Sequence, residues 1–168
     1  MTAVEYQVRD ARITDAERIT ALLEAGRARQ ASSGRATLGA ADLLRQLVYL
    51  PQAVVLVAEA HRAIVGAAVL ALRPSVSSGG FVGSIDLLVV EAGRDVAGVR
   101  DALVAEVLRS ARNKGCVIVE MPQPASAADL AAWEAYGFTA APLRLVCDPA
   151  TARTPRSLDP VGPRGSTT

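Results

Sequence analysis

The stretch SIDLLVVEAGRDVAGVRDALVAEVLRSARNKGCVIVEM, residues 84–121, decides how this chain folds. Its opening, SIDLLVV, is a continuous run of β-branched residues and leucine, which predicts a central strand buried on both faces. The polar EAGRD then bends the chain. From Val96 to Asn113 apolar residues return at helical spacing, with Val99, Leu103 and Val107 on one face, so a long amphipathic helix is expected. CVIVEM, residues 116–121, reads as a second buried strand. Strand, helix and strand in that order predict a crossover that sets two strands parallel.

Working outward, AVVLVAEA (53–60) and AIVGAAVLAL (63–72) flank a tight His61-Arg62 turn and predict an antiparallel hairpin. The segment RPSVSSGG reads as the loop from that hairpin into the central strand. Upstream, Tyr6 and Val8 alternate within residues 5–10, as an edge strand would. Thr14 and Glu17 have capping-box spacing, Ile19, Leu22 and Leu23 share a face, and Gly26 can close the helix. RARQASSGRATLG reads as a flexible loop, and a second helix is expected over 40–49, ahead of Pro51. Downstream, SAADLAAWEAYG reads as a helix opened by Ser126 and closed by Gly137, and FTAAPLRLVC as a final strand. Beyond Asp148 the composition turns to proline, glycine, threonine and arginine, as in a disordered tail. The expected organisation is one domain over 1–148 and a tail over 149–168. The fold class is α/β, a mixed and mostly antiparallel sheet with helices on both faces.

Composition narrows the function. The 168 residues carry a net charge of +1, with 51% hydrophobic and 21% charged residues. That apolar fraction excludes a disordered chain, and no apolar run approaches the ~20 residues that span a bilayer. Near-neutral charge argues against a nucleic-acid binder, which needs a basic stripe. Cys116 and Cys147 read as small packing residues of a reduced, cytoplasmic protein, since MTAVEYQVRD holds no signal-peptide core. His61 is the sole histidine and no cysteine pair has ligand spacing, so no metal site is expected.

Taken together, these residues resemble the GNAT acyl-CoA-dependent N-acyltransferases over positions 6–146. VRDARITDAERITALLE is similar to that family's first strand and helix, and VAEAHRAIVGAAVL to its next two strands, with the habitual Ile-Val-Gly. IDLLVVEAGRDVAGVRDALVAEVLRSARNKGC resembles its cofactor-binding strand, loop and helix. WEAYGF sits where the family has an aromatic-Glu-x-x-Gly-Phe segment. The resemblance implies transfer of an acetyl or other small acyl group from acetyl-CoA or a related thioester. The acceptor would be an amine, on a small molecule or a protein, attacking directly in a ternary complex. It implies that the pantetheine arm lies along Leu88, Val89 and Val90. The pyrophosphate would meet the amides of Val96, Ala97, Gly98, Val99, Arg100 and Asp101, with Arg94 close by. Helix N-termini suit such anions because their amides are unpaired and the macrodipole is positive there. A homodimer through the last strand's edge is also implied.

The chain departs from the family's pattern in two places. The usual loop reads Arg/Gln-x-x-Gly-x-Gly or Ala. Anchoring on ALV (102–104) sets Gly98 at the first glycine, Arg100 at the second and Asp95 at the arginine, with Arg94 one place early. The tyrosine that many members use as a general acid is matched by Trp133, which leaves Tyr136 as the candidate acid. For the base, Asp86 is the first candidate, with Glu91 and Glu120 as alternatives. Each also has a plainer reading: Asp86 as a capping or pairing residue, Trp133 and Tyr136 as core aromatics, Arg94 and Arg100 as solvated charges. The departures keep open a second function, a catalytically inactive GNAT-like binding or regulatory domain.

Overall fold

A computed structural model describes residues 6–29 and 39–141. Its sheet has five strands in chain order: β1 (Gln7–Asp10), β2 (Ala53–Ala60), β3 (Ala63–Ser75), β4 (Gly80–Val90) and β5 (Cys116–Glu120). The first three pairings are antiparallel, and β4–β5 is parallel. The helices are α1 (Ala16–Arg29), α2 (Ala40–Leu47), α3 (Val96–Asn113) and α4 (Ala127–Glu134).

The continuous apolar strands conceal a period of two, because both faces of the sheet are covered. Val54, Leu56, Ala58, Leu70 and Ile85 pack with Val99, Leu103, Val104 and Val107 of α3 and with Trp133 of α4. Val55, Val57, Ala67 and Val69 point the other way, into a second core with Ile19 of α1 and Leu44 of α2. The expected mixed sheet with helices on both faces is therefore present.

Between β2 and β3, His61 (φ 50°) and Arg62 (φ 66°) both adopt left-handed backbone, the conformation of a two-residue hairpin turn that favours Asn-Gly. An L-residue there costs about 1–2 kcal/mol. Arg62→Gly is therefore expected to raise stability by about 0.5–1 kcal/mol, after allowing for the freer unfolded chain. A thermal melt checks this; a lower midpoint would mean that the arginine side chain holds the turn.

Several local expectations are corrected. Thr14 does not cap α1: it lies inside a 3₁₀ turn, Ile13–Asp15, and the side chain that closes this turn is Asp15. The Asp15 carboxylate accepts from the Arg12 amide at 2.7 Å and from the Arg9 guanidinium at 2.8 Å, and Arg9 also bonds Glu59 of β2. Gly26 does not end α1, which runs to Arg29, and α2 stops at Leu47. The segment RPSVSSGG is half strand, with β3 reaching Ser75 and β4 starting at Gly80, so only residues 76–79 turn. β5 is not buried: Val117 is 54% and Ile118 48% exposed, on a strand that edges the sheet among the described residues. Residues 138–141 form no strand. The rest of the expected last strand, Cys147, the tail and the domain boundary at 148 lie outside the described residues, as do positions 30–38 of the expected loop.

Candidate functional site

The site begins where two strands part. β4 pairs with β3 along its whole length, but with β5 only from Phe81↔Cys116 to Ser84↔Glu120. β5 ends there, while β4 continues to Val90. Residues 85–90 thus have one backbone edge that no strand covers among the described residues. The parting coincides with a bulge. Val69 faces Leu87 and Leu70 faces Ile85, so Asp86 is an extra residue without a partner across β3. Such an insertion bends its strand and re-aims a side chain; Asp86 stands exposed.

Along this edge Leu88 and Val90 are half-buried against the α3-side core, and Leu87 and Val89 against the opposite one. Their side chains are engaged by the protein. What they offer at the open edge is backbone N–H and C=O, which run towards the first turn of α3.

Asp95 caps that helix. Its carboxylate accepts from the Gly98 amide at 3.0 Å, and its carbonyl from the Val99 amide at 3.1 Å. The glycine at 98 is required by this arrangement: a β-carbon there would lie 3.0 Å from Asp95 Cγ and 3.0 Å from Cε2 of Tyr6, with a carboxylate oxygen closer still. Tyr6 lies against the same turn, and burial first, then the negative charge of Asp95, pushes its phenol above the usual range. Val96 and Ala97 are exposed at the helix start, where their amides have no intrahelical acceptor. Val99 is fully buried and its amide makes the first helical bond, so it shapes the turn without facing a ligand.

Charges around this turn are matched in pairs. Arg94 donates to Glu91 at 2.8 Å, and Arg18 of α1 donates to the same carboxylate at 2.5 Å. Those bonds, from Arg94 and from Arg18, hold Glu91 below the usual carboxylate range, which suits an anchor rather than a proton acceptor at neutral pH. Arg100 donates to the Tyr136 hydroxyl at 3.3 Å, and that hydroxyl donates to Asp101. Burial and the bond to Asp101 raise the Tyr136 phenol, so its proton is held more firmly than in a free tyrosine. Trp133 is buried and meets Tyr136 and Phe138 edge to face, at 5.7 and 5.1 Å between ring centres. Glu120, beside Ser84 where the strands part, bonds Arg73 at 3.3 Å.

The structure thus gathers Arg94, Asp95, Val96, Ala97, Gly98, Arg100, Asp101 and Tyr136 around the first turn of α3, with residues 88–90 leading into it. Asp86 stands apart, at the bulge. The sequence reading missed Tyr6, Arg18 and the capping role of Asp95. Only the last had a local signal, an aspartate three residues ahead of a helical amide. Among the described residues no group of three potential ligands suits a metal ion, and no helix is long and apolar enough to cross a membrane.

This architecture is the GNAT acetyltransferase fold. An acetyltransferase of Trypanosoma brucei is similar over 86% of this chain and 99% of its own, at 26% identity and a TM-score of 0.62. A predicted acetyltransferase of Clostridium acetobutylicum, solved with acetyl-CoA, matches 89% of this chain and all of its own, at 14% identity and a TM-score of 0.73. A transcriptional regulator of Bacillus halodurans matches 86% and 99%, at 19% identity and a TM-score of 0.72. No family profile matches the sequence, and no curated protein does.

Proposed function

We propose that this chain moves an acetyl or other small acyl group from its CoA thioester to an amine, by direct attack in a ternary complex. The observation that carries this reading is the edge of β4 at residues 85–90, which no strand covers among the described residues and which leads into the N-terminus of α3. A pantetheine arm is a chain of amides, and such a chain can add to an open sheet edge as a strand does. Leu88, Val89 and Val90 would supply that backbone. The amides of Val96, Ala97 and Gly98, which open α3, would meet the diphosphate, with Arg94 and Arg100 as nearby cations.

The chain's contribution is then largely alignment, which can supply about 7–11 kcal/mol of barrier reduction. Asp86, or a water that it orders, takes the proton of the attacking amine. The departing thiolate is protonated by solvent or by Tyr136, whose hydroxyl donates to Asp101. A cytoplasmic homodimer acting on a small-molecule or protein amine belongs to the same reading. The second reading, an inactive domain that binds a ligand or regulates, is favoured by the Asp95 carboxylate on the Gly98 amide and by the buried Trp133 at the usual acid's place.

A thermal-shift titration with acetyl-CoA tests the reading. Ligand at 100 times its Kd adds about 2.7 kcal/mol, which raises the midpoint by roughly 5–10 °C. A saturable shift together with CoA release on an amine panel is the expected result. A shift without release would favour the binding module, and no shift at millimolar ligand would remove the donor from the reading.

A further inference from the structure

We propose that Asp95 is an internal occupant of the donor's anion seat, and that it sets donor affinity by competing with the diphosphate for the first turn of α3. This inference rests on the reading above. An anion docks at a helix N-terminus through the amides that lack intrahelical partners. In this chain one of those amides, Gly98 N, is already taken by a carboxylate of the same charge as the ligand. The ring of Tyr6, just ahead of β1, lies against Gly98, and the absence of a side chain at 98 lets the carboxylate fold back onto the helix.

The neighbouring cations do not offset it freely. Arg94 is drawn to Glu91, which Arg18 also holds, and Arg100 is engaged with Tyr136, itself bonded to Asp101. A diphosphate arriving at this turn therefore meets a carboxylate and must displace it. Asn at this position would still cap the helix, because its side-chain oxygen accepts the same bond about as well. It would carry no charge. The cap and the competition can thus be separated in one substitution.

The test is calorimetric titration of the full chain, wild type and Asp95→Asn, with free CoA and with S-acetylpantetheine, which has the arm but no diphosphate. Removing one negative charge beside the diphosphate is expected to tighten CoA about tenfold. S-acetylpantetheine should bind both proteins alike. Asp95→Ser, a second uncharged cap, should give a gain in the same direction and serves as the second variant if Asp95→Asn folds poorly. Unchanged or weaker CoA binding in the folded variants, or an equal gain for both ligands, overturns the proposal. If S-acetylpantetheine binds and CoA gains nothing, the inference fails while the donor reading stands. If neither compound binds any of the proteins, the donor reading fails and takes the inference with it.

Discussion

Gly66→Val is expected to lower stability by about 3 kcal/mol, moving the thermal midpoint down by roughly 6–12 °C. Gly66 lies on β3 where α3 crosses the sheet. A β-carbon there would fall 2.7 Å from Cγ1 of Val99, 3.1 Å from Cδ1 of Leu103 and 3.1 Å from the Val89 carbonyl. Val99 and Leu103 are both fully buried, so neither has solvent to retreat into, and the helix itself must lift. Lifting α3 shifts its first turn relative to β4, so acetyl-CoA binding should weaken along with stability. Gly66→Ala should cost less, about 1–2 kcal/mol. Trimming Val99 to alanine in that background makes room for the new methyl, so the double variant should be about 1 kcal/mol more stable than the summed single effects. Strict additivity in denaturant titrations would show that α3 does not bear on Gly66.

Arg9→Met is expected to cost about 2–3 kcal/mol at neutral pH. Arg9 is the shared partner of Asp15, which closes the turn before α1, and of Glu59 on β2. Burial alone would push the Asp15 carboxyl up. Bonds from Arg9 and from the Arg12 amide outweigh it and hold the group below its usual range. A carboxylate held down in the folded state stabilises the protein above the unfolded value, near pH 4, and loses that contribution as pH falls through its folded value. Without Arg9, burial acts on Asp15 unopposed by its main partner, and the charged form becomes the costly one. The gap between wild type and variant should therefore be widest above about pH 5 and narrow below about pH 4. Chemical denaturation at several pH values checks this, and a gap independent of pH would mean that Arg9 acts through packing of its stem.

The crossover from β4 through α3 to β5 is legible in the sequence because each piece announces itself locally. SIDLLVV has no polar residue but Asp86 in its interior, α3 keeps helical spacing throughout, and Asp95 and Gly115 punctuate its ends. The extension of β3 and β4 across RPSVSSGG is not legible. Arg73, Pro74 and Ser75 pair with Val82, Phe81 and Gly80 but are themselves exposed or half-buried, so no burial pattern marks the segment as strand. Gly26 misleads for a related reason: the residues after it, Arg27, Ala28 and Arg29, are good helix formers, and a single glycine costs a helix only about 1 kcal/mol. At the site, the backbone edge and the anion seat follow from the element order. The contacts that tune them do not. Arg18 meets Glu91 across 73 positions and Tyr136 meets Asp101 across 35, separations that no spacing rule encodes.

Strands laid side by side in chain order also dictate how the sheet assembles. The hairpins turned by residues 61–62 and 76–79 close short loops, whose entropy cost is small, so β2, β3 and β4 can zip before any distant contact exists. β5 must wait for the helix spanning 96–113 to dock, and β1 must be brought back across residues 11–52. The meander is therefore expected to form first, and both flanks of the sheet to join it later. Among those latecomers is Tyr6, just ahead of β1, so the first turn of α3 gains this neighbour of Gly98 only when β1 docks.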